Sequence, residues 1–180
     1  VFMAKPTGGM CGKGIEKINA VEFEGDLYEH LKSMGPLILE ECVVQHKALM
    51  ELHPCSVNTC RIITFTHGGS TKVVAAYLRI GNGKYVDNFN NGGMVVPIEE
   101  DCGRIIYPAL DKSGALHEVH PLTGVPIKGF QVPLWDEVTE LVKKAGQVVP
   151  QVGIVGWDVC VTDNGPLLIE GNDYPGHDIY

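Results

Sequence analysis

Residues 153–172, GIVGWDVCVTDNGPLLIEGN, read as two strands joined at Asp163-Asn164-Gly165, and the way those strands face each other decides the fold. If the loop is the three-residue form, with Gly165 in the left-handed position of a bulge, Thr162 faces Pro166 and Asp158 lies opposite Glu170. Side-chain alternation then puts Asn172 on the face of Glu170, while Val159, Val161, Leu167 and Ile169 point the other way into a core. Opposed Cβ atoms on such a pair sit roughly 5 Å apart, so the two carboxylates repel unless something intervenes. A cation resolves the conflict. Two carboxylates and an amide carbonyl are the hard oxygen donors that Mg²⁺ takes, and the open face leaves room for phosphate oxygens. A two-residue Asn-Gly turn predicts the opposite, with Asp158 and Glu170 on different faces and a solvated strand edge bearing ordinary charges.

Working back from the hairpin, Leu134, Val138, Leu141, Val142 and Ala145 form one apolar stripe, which predicts a helix over about 135–145. RIITFT and KVVAAYLRI read as strands, followed by an irregular Gly- and Asn-rich segment at 85–95 and a long loop-rich connection through Gly129. At the other end, VFMAK reads as a strand ending on Lys5, with a glycine-rich stretch from Gly8 to Gly14 and a short strand near GIEKI. Asp26 is a candidate N-cap for a helix carrying Leu27, Leu31 and Met34, which Gly35-Pro36 stops. LILEECVV follows as a buried strand. The chain starts on Val1 within a strand pattern, so it is expected to be an excised piece of a longer protein.

The glycine stretch matches neither familiar phosphate loop. A Walker loop requires a Gly, four intervening residues and then Gly-Lys-Ser/Thr, whereas Thr7 and Gly14 occupy those ends; the dinucleotide fingerprint fails because the spacing of Gly9, Gly12 and Gly14 is reversed. What the residues allow is either a plain glycine hairpin or a loop that brings several backbone N–H groups to an anion.

The 180 residues, 44% hydrophobic and 20% charged, describe an ordinary globule with enough chain for a substantial core. A net charge of −8 without a basic cluster argues against nucleic acid as a partner. No stretch is long and apolar enough to cross a bilayer, and no signal peptide is visible. Six cysteines without C-x-x-C spacing, several in apolar runs, read as free thiols in a reducing, cytoplasmic compartment. His117 and His120 in HEVHP lack finger-spaced partners, and read as loop residues rather than ligands.

Lys5-Pro6 with its glycine loop, Glu40-Glu41-Cys42-Val43, Arg61, Arg79, Asn88 with Gly92-Gly93, and the closing Asp158 and Glu170-x-Asn172 resemble, in order and spacing, the ATP-grasp ligases over nearly the whole chain. SVNTCRIITF, VDNFNNGGMVVPI and HPLTGVPIKGFQVPLW make it most similar to the sugar-transfer-associated group, and its general outline is like the glutamate ligases. The resemblance implies an α+β fold, in which two α+β lobes with antiparallel sheets hold ATP between them. Residues 1–43 would be the small glycine-loop lobe, the lid subdomain, and residues 44–180 the larger catalytic lobe with the metal-binding hairpin. Lys5 would reach the ATP phosphates, and the loop with Gly8, Gly9, Gly12, Lys13 and Gly14 would cover them. Backbone near Glu41 and Val43 would bond the adenine edge, with Glu40 or Glu41 accepting from its amino group. Asp158, Glu170 and Asn172 would hold two Mg²⁺ ions. Arg79 would stabilise the transferring phosphoryl group, while Arg61 and Asn88 orient substrate or phosphate.

The reaction so implied joins a small-molecule carboxylate to an amine through an acylphosphate, in polysaccharide or amino-sugar metabolism. A kinase that stops at phosphoryl transfer, and a non-catalytic nucleotide- or metal-binding module, are the alternatives. Members of this type also carry an N-terminal substrate domain and an earlier ATP-contacting lysine, so the chain is expected to be a fragment without them, whose turnover in isolation is open. Asn91 stands where related ligases carry a basic residue. Nothing in the residues sets the oligomeric state.

Overall fold

The computed structural model describes residues 1–8 and 14–175. The chain divides into two compact units, Val1–Val44 and Gln45–Tyr180.

In the first unit, β1 (Phe2–Pro6) is the centre of a three-stranded antiparallel sheet, flanked by β2 (Glu16–Ile18) and β3 (Leu37–Glu41). Helix α1 (Leu27–Ser33) begins where Asp26 predicts, because its Oδ1 accepts from the N–H groups of Tyr28 (3.0 Å) and Glu29 (3.1 Å), two of the orphan donors of a first turn. It ends at Gly35, whose φ of +82° an L-residue rarely adopts. The apolar interior of this unit is thin, with Ala4 and Ile18 its buried apolar side chains among the described residues. LILEE is therefore not the buried strand expected: Ile38 and Leu39 are more than half exposed.

The second unit is a seven-stranded antiparallel sheet in the order β10-β9-β4-β5-β6-β7-β8, formed by β4 (Cys60–His67), β5 (Ser70–Ile80), β6 (Met94–Pro97), β7 (Ala109–Asp111), β8 (Leu116–His117), β9 (Ile154–Thr162) and β10 (Gly165–Asn172). Gly68 and Gly69, both at positive φ, close the β4–β5 hairpin in the mirror-image turn whose twist suits two strands. One face of the sheet is covered by α3 (Trp135–Val148), which buries Trp135, Val138 and Val142 against Ile62, Leu78, Val155 and Val159. The short helix α2 (Lys47–Leu52) adds Leu49 and Leu52 to the same core.

Several sequence expectations are corrected here. The segment at 85–95 holds a 3₁₀ turn, Phe89–Asn91, and the start of β6; β7 and β8 lie inside the supposed loop-rich connection. Those strands have two to four residues, too few for alternation to register. Leu167 and Ile169 do not enter the core: the observed register pairs Leu167 with Cys160, on the face of Asp158 and not of Val159, and Ile169 falls in the irregularity of edge strand β10, so they are 47% and 41% exposed.

The deciding hairpin also differs. Thr162 pairs with Gly165, so the turn is a two-residue one made by Asp163-Asn164, neither the three-residue loop nor the Asn-Gly turn. That register alone would send Asp158 and Glu170 to opposite faces. A β-bulge between Leu168 and Glu170 inserts one extra residue on β10, shifts the register by one, and brings Glu170 opposite Asp158.

Candidate functional site

On β4, Cys60, Ile62 and Thr66 face α3, and Arg61 faces away. Register then lines up Glu170 of β10, Asp158 of β9, Arg61 of β4 and Tyr77 of β5 across the open face of the sheet. Asn172 lies one step along β10, opposite Gly156, and its Nδ2 donates to Glu170 Oε1 at 3.3 Å. Arg79 follows Tyr77 by two residues on the same face of β5, and its backbone N–H donates to Thr59 O at 2.8 Å.

Asp158 is 2% exposed, and its negative charge is answered within the protein. Arg61 grips it with a two-armed fork, Nε to Oδ1 and Nη2 to Oδ2 at 3.0 Å, and Arg79 Nη2 reaches Oδ2 at 3.1 Å. The expectation is that a cation resolves the opposition of Asp158 and Glu170; here two guanidiniums balance the buried member, leaving Glu170 at the exposed end of the row. Fork geometry of this kind is worth more than a single charge contact because both donors and both acceptors are aligned.

A second buried carboxylate completes the balance. Asp87 Oδ2 accepts from the Thr59 N–H (2.9 Å) and hydroxyl (2.5 Å), with Arg79 Nε at 3.4 Å; Arg79 Nε also donates to Thr59 Oγ1 at 2.9 Å. Burial pushes the Asp87 carboxyl above its ordinary range, against the pull of Arg79 and the Thr59 donors. Two arginines thus meet two carboxylates in a nearly dry network, the arrangement in which buried charges are tolerated.

Of the expected site residues, Arg61, Arg79, Asp158, Glu170 and Asn172 share one face. Asn88 takes a local role, its Oδ1 capping the 3₁₀ turn at Asn90 N–H (3.0 Å) while its carbonyl accepts from Asn91 and Gly93. Within the first unit, Lys5 and Glu40 sit diagonally across β1 and β3, and Lys5 Nζ meets Glu40 Oε2 at 2.5 Å. Glu41 pairs with Phe2 and is exposed, Val43 is half-buried beyond β3, and Gly14 (φ +75°) packs against Pro6. Gly8 sits in the turn that leaves β1, and Gly9, Gly12 and Lys13 lie outside the described residues.

Among the described residues no group of three or more His, Cys, Asp or Glu side chains gathers as a metal cluster. Glu170 and Asn172 offer hard oxygen donors on that face, whereas both oxygens of Asp158 are engaged by Arg61 and Arg79, so Asp158 would join a divalent cation only by giving up a guanidinium contact. His117 is not a loop residue but the end of β8, where Asp111 Oδ2 meets its Nε2 at 2.8 Å, and His120 is buried with Nε2 on Gly81 O. Burial pushes the Cys60 and Cys160 thiols up to about 12 and about 11, which fits their reading as small hydrophobes.

Thr59 and Asp87 are the residues that sequence reading missed. Each sits beside a residue it did single out, Thr59 in SVNTCRIITF and Asp87 next to Asn88, but the 28 positions between them conceal the contact. The buried amides Gln45 and Asn58 were missed for the same reason; Asn58 bonds Gln45, Leu49, His53 and Gly81 and fixes the strand entering the site.

A model of the sugar-transfer associated ATP-grasp family matches residues 1–180. No curated protein matches the chain.

Proposed function

The chain belongs to the sugar-transfer associated ATP-grasp family, and from that premise we propose that it takes part in an ATP- and Mg²⁺-dependent ligation of a small-molecule carboxylate to an amine. ATP-dependent, ligase-type chemistry is what the family supports in general. The observation that carries the finer reading is the shared face of Asp158, Glu170, Asn172, Arg61 and Arg79, where oxygen donors and guanidinium donors stand side by side. An ATP-dependent acyl transfer needs both kinds of group.

In the proposed reaction, a carboxylate oxygen attacks the γ-phosphorus of ATP, the β,γ-bridging P–O bond breaks and ADP leaves. The amine nitrogen then attacks the acylphosphate carbon, loses a proton, and inorganic phosphate departs with the C–O bond electrons. Arg79 lies on the face where charge spreads over the transferring phosphoryl oxygens, and a fixed guanidinium stabilises that charge without reorganising. Arg61 holds Asp158 in place through its two-armed fork. Glu170 and Asn172 would hold Mg²⁺, joined by Asp158 if a guanidinium yields one of its oxygens, and the ion would supply charge neutralisation at the phosphates. In the small unit, Lys5, Gly8, Gly14, Glu40, Glu41 and Val43 are proposed nucleotide contacts on the strength of the family alone. No side chain has to act as a covalent nucleophile. The family's description supports a product that enters sugar-polymer or amino-sugar assembly.

Thermal unfolding with and without ATP and Mg²⁺ tests the reading. A ligand at about 100 times its Kd stabilises by about 2.7 kcal/mol, a shift of roughly 5–10 °C for a chain of this size. Glu170→Ala is expected to abolish the Mg²⁺-dependent part. Equal shifts in wild type and variant would remove the metal site from the proposal, and a stable phosphorylated acid with no need for an amine would replace ligase by kinase.

A further inference from the structure

We propose that Asp87 is a positioning residue for phosphoryl transfer, acting through Arg79: together with the Thr59 hydroxyl it fixes the guanidinium on the open face beside Asp158. The inference rests on the role of Arg79 proposed above.

An arginine side chain has four rotatable bonds, and one carboxylate partner leaves its plane free to swing. Arg79 is gripped at two places instead. Its Nη2 meets Asp158 Oδ2 at 3.1 Å, and its Nε meets Thr59 Oγ1 at 2.9 Å and Asp87 Oδ2 at 3.4 Å. Thr59 is the relay, since its hydroxyl donates to Asp87 and so must present a lone pair to Arg79 Nε. The two anchors hold the guanidinium plane from both sides, and the side chain keeps 16% of its surface exposed towards the open face.

The backbone around Asp87 is shaped to keep it there. Gly93 runs so close that a Cβ would collide with the Asp87 carbonyl, and its N–H donates to Asn88 O at 3.1 Å. The capped turn Phe89–Asn91 returns the chain at that point. Asn88, Gly92 and Gly93 thereby serve to place the carboxylate that precedes them. A carboxylate buried to 7% exposure costs desolvation, and the return here is one arginine held in one pose.

The test compares Asp87→Asn, Thr59→Val and Thr59→Ser in the full chain, by calorimetric titration of Mg-ATP and Mg-ADP and by turnover. The ATP-to-ADP affinity ratio reads contact with the γ-phosphate, which a residue that only supports the fold does not alter. Asp87→Asn and Thr59→Val are each expected to lower that ratio about tenfold and the rate of Mg-ATP hydrolysis about 100-fold. Thr59→Ser, which keeps the relay hydroxyl, should stay near wild type. In an Arg79→Lys background the Asp87→Asn loss should vanish, because the effect runs through the guanidinium. Unchanged affinity ratios in a wild type that binds both nucleotides would overturn this inference alone. A wild type that binds neither nucleotide would overturn the functional reading and this inference with it.

Discussion

Asp158→Asn tests the electrostatic logic of the site by the sign of its effect. Were Asp158 and Glu170 two carboxylates repelling in the absence of a cation, neutralising one would stabilise the metal-free protein. In the structure, Asp158 is instead the shared anion of Arg61 and Arg79, whose side chains are 15% and 16% exposed. Asparagine keeps one acceptor oxygen but loses the charge, so Arg61 loses one arm of its fork and Arg79 keeps Asp87 as its charged partner beside the Thr59 hydroxyl. Breaking a buried pair from one side costs about 3–5 kcal/mol, and a charge-assisted hydrogen bond about 1.5–3. With one acceptor kept and some solvent access to both guanidiniums, the expected loss is about 2–3 kcal/mol, or roughly 4–12 °C in Tm. The assay is urea unfolding in EDTA followed by tryptophan fluorescence. Both tryptophans of the chain, Trp135 and Trp157, lie in the second unit, so the signal reports that unit alone. An Asp158→Asn variant as stable as wild type in EDTA, or more so, would refute the guanidinium account and restore the repulsion argument.

Two further outcomes follow from packing and protonation. An added Cβ in Gly171→Ala meets Trp157 Cζ3 at 2.7 Å, and the indole cannot retreat because its Nε1–H is bonded to Thr64 Oγ1 at 2.8 Å; the expected cost is about 1–3 kcal/mol in urea unfolding, and a wild-type midpoint would show that the ring is not fixed there. His53 accepts from Gly83 N–H on Nε2 and faces Ser56 Oγ with Nδ1, while burial and then the neighbouring His120 lower its pKa below 6.5. The unfolded chain therefore binds the proton more readily. Its stabilising contribution is complete above about pH 6.5 and is lost as pH falls below that value, by at most about 1.4 kcal/mol per pH unit. Unfolding free energies measured from about pH 7.5 down to 5.5 should fall more steeply in wild type than in His53→Gln, and parallel slopes would exclude this contribution.

The fold was legible where burial leaves a period or a cap leaves a residue type. Asp26 announced α1, the stripe from Leu134 to Ala145 announced α3, and Gly68-Gly69 separates two β-rich runs that do pair. It was illegible where the signal is too short, as in β7 and β8, or where apolar residues do not mean burial. Ile38, Leu39, Leu167 and Ile169 are all apolar and all exposed, since β3 and β10 are edge strands. The site divides in the same way. Residues on neighbouring strands of one hairpin could be placed opposite each other from the sequence, whereas the contact of Thr59 with Asp87, 28 positions apart, could not.

The hairpin shows how a correct facing can come from an incorrect turn. The three-residue loop and the two-residue loop differ by one position, and one position inverts every side chain on β10. The chain uses the two-residue turn, with Gly165 at φ +122°, and places the compensating residue at the far end, between Leu168 and Glu170. The bulge lies next to Glu170 on an edge strand, where no outer neighbour has to follow the shift. Leu167 and Leu168 pair in one register with Cys160 and Val159, and Glu170, Gly171 and Asn172 pair in the other with Asp158, Trp157 and Gly156. The strand is thus two short segments joined at the bulge, one that closes the turn and one that presents Glu170 and Asn172. The extra residue falls where a bulge can re-aim a functional pair without disturbing β9, whose Asp158 is already locked to Arg61 and Arg79.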